Sequence, residues 1–108
     1  MSDNLPLWSP RELESLVHRL AQDSYRVILT HHFLQRLKER GVTMGEALRC
    51  LQRGVIIKGP TYSAEHKSFE FKMCELPPRD IVCVVAAVKP VLDPGEVIAV
   101  TVWEVSDV

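Results

Sequence analysis

The segment Thr30 to Gly41 carries side chains that could bind an anion. His32, Arg36 and Arg40 recur every fourth residue, and in a helix this spacing places side chains in one row. An imidazole that can take up a proton near neutral pH, beside two permanently charged guanidinium groups, suits a phosphate or a carboxylate. The segment therefore predicts a helix over residues 31 to 40, the second of the chain and called α2, with a site for an anionic partner. We call His32, Arg36 and Arg40 the α2 row.

The α2 row also has a purely structural interpretation. Arg36 and Arg40 could pair with acidic side chains of the strands, and His32 could bond a strand carbonyl where helix and sheet meet. Exposure of the row in a concave pocket would favour binding or catalysis, whereas burial against strand carboxylates would favour structure. The carboxylates in question are Glu70, Glu75 and Glu104.

The cysteines and histidines lack the spacing of a metal site. Cys50, Cys74 and Cys83 are odd in number and widely separated among apolar residues, which is typical of buried thiols rather than of a disulfide framework. No Cys-x-x-Cys, His-x-x-x-His or His-Glu-x-x-His pattern occurs, and only His31 and His32 with the distant His66 could begin a site. There is no Gly-rich phosphate loop either, so we expect neither a metal nor a cofactor.

Charge is unevenly distributed along the chain. Residues 26 to 53 carry six Lys or Arg and two Asp or Glu, a net charge of +4, while the flanking segments 1 to 25 and 54 to 108 have net charges of -2 and -3. A local basic patch can attract a polyanion, but the sequence pI near 6.4 lacks the strong basic balance of a general nucleic-acid binder.

Apolar runs are short. The longest spans residues 81 to 88, whereas a membrane helix needs about 20 residues. The first ten residues have neither the basic nor the apolar region of a secretory signal. We therefore expect a cytoplasmic protein with no membrane contact.

Helix-capping signals divide the first half of the chain. Ser9-Pro10-Arg11-Glu12 is a capping-box sequence, and Thr30 and Thr43 are the expected N-caps of two further helices that end at Gly41 and Gly54. Phe33, Leu34 and Leu37 are expected to form the buried face of the second helix. Residues 1 to 24 are interpreted as an amphipathic helical extension, and residues 25 to 108 as one α+β domain, with the whole chain folding as one unit.

Strand patterns fill the second half. Strands are expected at residues 55 to 58, closed by Gly59-Pro60, and at 68 to 74, 81 to 88 and 96 to 103, with Asp93-Pro94-Gly95 as a hairpin turn. Residues 25 to 30 read as a strand or an extended lead-in. The predicted fold is α+β, with N-terminal helices packed on one face of an antiparallel sheet of about four strands.

The order of these motifs resembles a known family. Ile28 to Thr30 precedes His32, Arg36, Arg40 and Gly41, then come residues 54 to 57, Gly-Val-Ile-Ile, and residues 101 to 103, Thr-Val-Trp. Over about residues 25 to 105 the chain resembles the domain-of-unknown-function family 4258 of small bacterial proteins. That family is similar in arrangement to the RelE-like and barnase-like toxins, the best-known of which cut RNA without a metal.

The resemblance implies an enzymatic hypothesis. His32 would be the general acid or base at a ribose hydroxyl, and Arg36 and Arg40 would hold the phosphate. A second proton carrier would be required at the leaving oxygen. The candidates for it are His66, Tyr62, Lys67 and Thr101.

Three functions follow as hypotheses. We first expect a small toxin-like bacterial protein that binds an RNA or an acidic protein through the α2 row. The first alternative is a metal-independent RNA-cleaving toxin. The second is a non-enzymatic interaction module or homodimer, formed through the N-terminal helix or a sheet edge.

Overall fold

The computed structural model describes residues 8–77 and 82–104. Along the chain, one helix is followed by a short strand, then by two consecutive helices and finally by four consecutive strands. The helices are α1 Pro10–Ala21, α2 His31–Arg40 and α3 Met44–Arg53, and a short 3-10 turn spans Ser24–Arg26. The strands are β1 Val27–Leu29, β2 Val55–Ser63, β3 Ser68–Cys74, β4 Val82–Val88 and β5 Val97–Glu104.

Side-chain caps begin each helix where the sequence predicts. The Ser9 hydroxyl accepts the Glu12 backbone N–H, and the Glu12 carboxylate accepts the Ser9 backbone N–H, which completes the capping box of α1. The Thr30 hydroxyl accepts the N–H of Phe33 at the start of α2. Gly41 ends α2 with φ 65, a left-handed conformation that a glycine adopts without steric cost. The predicted helix boundaries are confirmed.

The strands form one five-stranded sheet in the order β1-β5-β4-β3-β2. β2 to β5 make the predicted antiparallel meander, so the α+β class is confirmed. The fifth strand, β1, pairs parallel with β5, with Val27 opposite Val97. The sequence predicts about four antiparallel strands and does not include β1 with them. A strand of three residues is too short to show a periodic pattern, and its partner lies far along the chain.

Within residues 8–77 and 82–104, all three helices pack against one face of the sheet and none covers the other face. The core between helices and sheet includes Leu13 and Val17 of α1, Phe33 of α2 and Leu51 of α3, each at most 1% exposed. On the opposite face, side chains such as Val85, Val100 and Trp103 are only half-buried. We call this side the open face. The apolar runs of β4 and β5 predict cover on both sides. On the open face this holds for Cys83 and Ala87 of β4, which are buried, but not for Val100 and Trp103 of β5.

Two details of the sequence prediction are also corrected. β2 does not close at Gly59-Pro60 but continues to Ser63, with irregular register against β3. Gly59 has φ 92, and a Cβ atom there would lie 2.7 Å from the Glu70 carbonyl oxygen, so the close approach of the two strands depends on glycine. Leu34, predicted to be buried, is 43% exposed.

The N-terminal helix belongs to the same core as the rest of the chain. Five of its residues are buried, so its apolar stripe covers the protein's own core. Two of its polar side chains also hold the start of β2: the Glu14 carboxylate accepts the Ile56 N–H at 2.9 Å, and His18 Nε2 lies 2.6 Å from the Gly54 carbonyl oxygen. Among the helices of the described ranges, none is both long and apolar enough to cross a membrane.

Candidate functional site

The α2 row lies on the molecular surface. His32 and Arg40 are exposed and Arg36 is half-buried. Arg36 Nη1 donates to Glu39 Oε1 of the same helix at 3.2 Å, with side chains 39% and 47% exposed. An ion pair in such a solvated position is worth only about 0 to 1 kcal/mol. The guanidinium of Arg36 is therefore available to exchange this partner for another anion.

Two of the strand glutamates considered for a structural role are engaged elsewhere. Glu70 Oε2 lies 3.2 Å from His66 Nδ1, and Glu75 Oε2 accepts from Arg49 Nε at 3.2 Å. The side chain of Glu104, the third glutamate, lies outside the described part of the chain. Glu70 and Glu75 thus have partners other than the α2 row.

The open face carries a groove made of two hollows that share Glu70. The first hollow has a volume of about 360 Å³, and Lys58, Lys72 and Trp103 line it. Lys72 Nζ lies 4.2 Å from the centre of the Trp103 ring, which is cation–π distance. This hollow therefore combines an aromatic surface with two ammonium groups.

The second hollow has a volume of about 300 Å³ and contains the polar groups His66, Glu70 and Lys89, together with Thr30 at the start of α2. The Glu70 carboxylate is positioned to accept an N–H from His66 Nδ1, which would fix that tautomer and leave Nε2 free to accept a proton. The His66 backbone N–H donates to Ser63 Oγ at 3.2 Å and holds the turn. This hollow brings an acid–base pair and a cation together.

The residues predicted from the sequence are distributed over different surfaces. Neither hollow is lined by His32, Arg36 or Arg40, so the described part of the groove does not join the α2 row to the weaker candidate His66. The remaining candidates lie outside both linings as well. These are Thr101, which is half-buried on β5, and Tyr62 and Lys67, which are exposed.

The groove contains residues that sequence reasoning did not select. Glu70 and Lys72 alternate with buried residues along β3, which is enough to place both on one face. Lys89 and Trp103 join them only through the pairing of β3 with β4 and of β4 with β5. The sequence pattern of β3 is therefore sufficient to group Glu70 with Lys72. Lys89 and Trp103 can be added only when the register of the sheet is known.

The three cysteines are buried and none forms a disulfide, as predicted. Burial, reinforced by the neighbouring Cys74 and Cys83, raises the pKa of the Cys50 thiol to about 12. Within residues 8–77 and 82–104, no three His, Cys, Asp or Glu side chains are grouped so that they could hold a metal ion.

No family model matches the chain, and no curated protein or solved structure matches it. The resemblance to the domain-of-unknown-function family 4258, and the toxin-like role it implies, stay predictions. The function is therefore argued from the two surfaces described above.

Proposed function

We propose that this protein binds a phosphate-bearing partner, represented by single-stranded RNA, through the α2 row. The observation that carries the proposal is the exposure of His32, Arg36 and Arg40 on a segment of net charge +4, between segments of net charge -2 and -3. A polyanion is attracted to a basic segment of this kind more strongly than to segments with a net negative charge. The charge pattern therefore favours a polyanionic partner, which would approach the protein from the side of α2.

The side chains of the α2 row favour a specifically bound phosphate group over a loosely associated counterion. Arg36 and Arg40 lie about one helical turn apart, so the two guanidinium groups can contact different oxygens of one extended anion. Binding would replace the solvated contact of Arg36 with Glu39, at 3.2 Å, by a charge-assisted bidentate contact, which is the stronger arrangement. His32 adds a donor at the other end of the row.

The test is fluorescence anisotropy of a labelled single-stranded RNA over a range of salt concentrations. The slope of log affinity against log salt is about 0.7 per neutralised phosphate for single strands. Arg36→Ala is expected to reduce the slope by about this amount, and His32→Ala to weaken binding. Lys38→Ala is the matched control, since it removes one charge from the same helix outside the row.

Two outcomes would contradict the proposal. If Lys38→Ala weakens binding as much as Arg36→Ala, the attraction is a property of net charge and the row is not a site. If a polyglutamate peptide of equal charge binds more tightly than RNA, the partner is an acidic protein. The first hypothesis from the sequence allows either class of partner, and this comparison distinguishes them.

We infer metal-independent RNA cleavage as a second candidate, on the observation that the second hollow holds His66 and Glu70 3.2 Å apart beside Lys89. A carboxylate on Nδ1 leaves Nε2 to take the proton of a ribose 2′-hydroxyl. The 2′-oxygen bonds to phosphorus as the bond to the 5′-oxygen breaks, and the 5′-oxygen leaves with a proton from water. Lys89 would stabilise the charge that grows on the phosphate. In this version His66 takes the role that the family resemblance gives to His32.

The enzymatic candidate is tested by induced expression in bacteria, followed by growth measurement and examination of total RNA. Growth arrest with RNA cleavage that His66→Ala and Glu70→Gln both abolish, and that a chelator does not prevent, supports the groove as the catalytic site. If His32→Ala abolishes cleavage and His66→Ala does not, the catalytic site lies on α2 and not in the groove. Intact RNA with wild-type expression level would refute a general nuclease.

A further inference from the structure

Cys74 and Cys83 face each other across two neighbouring strands. They are opposite partners in the antiparallel pairing of β3 with β4. Directly opposed Cα atoms in such a pair are about 4.5 to 5.5 Å apart, and disulfides span Cα separations of about 4.4 to 6.8 Å. The backbone already holds the two residues at disulfide distance.

The two thiols also lie on the same side of the sheet. Their neighbours Met73 and Val84 belong to the core beneath the helices, and since side chains alternate along a strand, Cys74 and Cys83 belong to the open face. The next residues in this row across the sheet are Val55 on β2 and Trp103 on β5. The two sulfur atoms therefore occupy adjacent places in one cross-strand row.

The third cysteine is separated from this pair by the sheet itself. Cys50 lies on α3, and its thiol donates to the carbonyl oxygens of Met73, at 3.4 Å, and Val82, at 3.6 Å. With its pKa near 12, the Cys50 thiol stays protonated at neutral pH, and a thiol without thiolate character is a poor nucleophile. The chemistry of Cys50 is thus distinct from that of the facing pair.

We propose that Cys74 and Cys83 form a redox-active dithiol, which hydrogen peroxide closes to an intramolecular disulfide and a thiol reductant reopens. The thiolate of one cysteine attacks one peroxide oxygen, the O–O bond breaks, and a sulfenic acid and hydroxide result. The second thiol attacks that sulfur and expels water. In total, two thiols and one peroxide give one disulfide and two waters. Both side chains are buried, at 7% and 4% exposure, so a small oxidant such as peroxide reaches them more readily than a large one.

The test uses the folded chain treated with hydrogen peroxide and then freed of peroxide. The chain is next unfolded in urea together with an alkylating agent, which blocks every remaining thiol, and digested with trypsin without reduction. Lys72 and Arg79 are cleavage sites, so the three cysteines fall into separate peptides: residues 50–53, 73–79 and 80–108. We expect the intact protein to lose two hydrogen atoms. The peptides 73–79 and 80–108 should be recovered as one linked species, with Cys50 still alkylated, and dithiothreitol should reverse the link.

Variants and an unfolded control make the result decisive. Cys50→Ala should form the same link, whereas Cys74→Ser and Cys83→Ser should not lose two hydrogen atoms. In concentrated urea, where no strand register exists, links that include Cys50 are expected alongside Cys74–Cys83. The proposal is overturned by any of three results in the folded protein: a link to Cys50, oxidation of the separate thiols to sulfinic acid without a link, or no reaction under peroxide that oxidises the unfolded chain.

Discussion

Gly54 offers a sharp test of how tightly α3 is joined to the sheet. Its φ of -76 is allowed for any residue, so the cost of Gly54→Ala must come from space. The added Cβ would lie 2.5 Å from the Cys50 carbonyl oxygen and 3.1 Å from the Cys74 carbonyl carbon and oxygen. All three are backbone atoms, so helix and strand must move apart. Overpacking of this kind costs about 1 to 3 kcal/mol.

Two hydrogen bonds increase that cost. The Gly54 N–H donates to the Cys50 carbonyl at 2.7 Å, and His18 Nε2 bonds the Gly54 carbonyl at 2.6 Å. Weakening these bonds adds about 1 kcal/mol to the loss of stability. Alanine also lowers the conformational entropy of the unfolded chain, which restores about 0.4 to 1 kcal/mol of stability. We expect a net loss of about 1 to 3.5 kcal/mol, or a fall in Tm of roughly 5 to 25 °C.

Gly41→Ala is the matched control. Gly41 has φ 65 but no atom within 4 Å of an added Cβ, so it tests backbone strain without crowding. An alanine in this left-handed conformation costs about 1 to 2 kcal/mol. The lower entropy of the unfolded chain offsets part of that cost, as it does at Gly54. Urea unfolding followed by circular dichroism gives both values. The reasoning is refuted if Gly54→Ala is no more destabilising than Gly41→Ala, because the close approach would then be absent in solution.

Three further predictions concern single side chains. Cys50 ionises near pH 9.0 in the unfolded chain but only near 12 in the fold, so the unfolded state loses its proton first. Stability should therefore fall across this window by about 1.4 kcal/mol per pH unit, and urea titrations of Cys50→Ala should lack that component. Glu14→Ala removes the acceptor of the Ile56 N–H and should cost about 1 to 3 kcal/mol. Glu14→Gln, which keeps an acceptor oxygen, should recover most of that loss in the same unfolding assay. Leu34→Glu, at a position 43% exposed, should change the unfolding free energy by less than about 0.5 kcal/mol, whereas a larger loss would mean that Leu34 is covered in solution.

The helices could be predicted from sequence because their signals are local. Thr30 and Thr43 are three residues from the N–H groups that they cap, and Gly41 supplies the left-handed end next to the last turn. β1 could not be predicted with the same assurance, since its hydrogen bonds are with β5. The apolar composition of α2 places Leu34 on the buried face, but the direction in which the helix packs decides its exposure.

The two candidate surfaces also differ in whether local sequence is sufficient to predict them. The α2 row follows from helical periodicity alone, so the spacing of His32, Arg36 and Arg40 along the chain is sufficient to group them. The groove requires Glu70 of β3 and Trp103 of β5 to be placed on one face across an intervening strand. No pattern within a short window contains that information, because it resides in the register of the sheet.

The pairing of β1 with β5 constrains the order of folding. Val27 meets Val97 and Leu29 meets Ala99, so the edge of the sheet closes only when residues about 70 positions apart come together. On a ribosome, β1 and α2 would be synthesised well before the strand on which they pack, and the buried face of α2 would meanwhile lack its cover. We therefore expect completion of β5, rather than formation of the helices, to be the event that commits the nascent chain to its native structure.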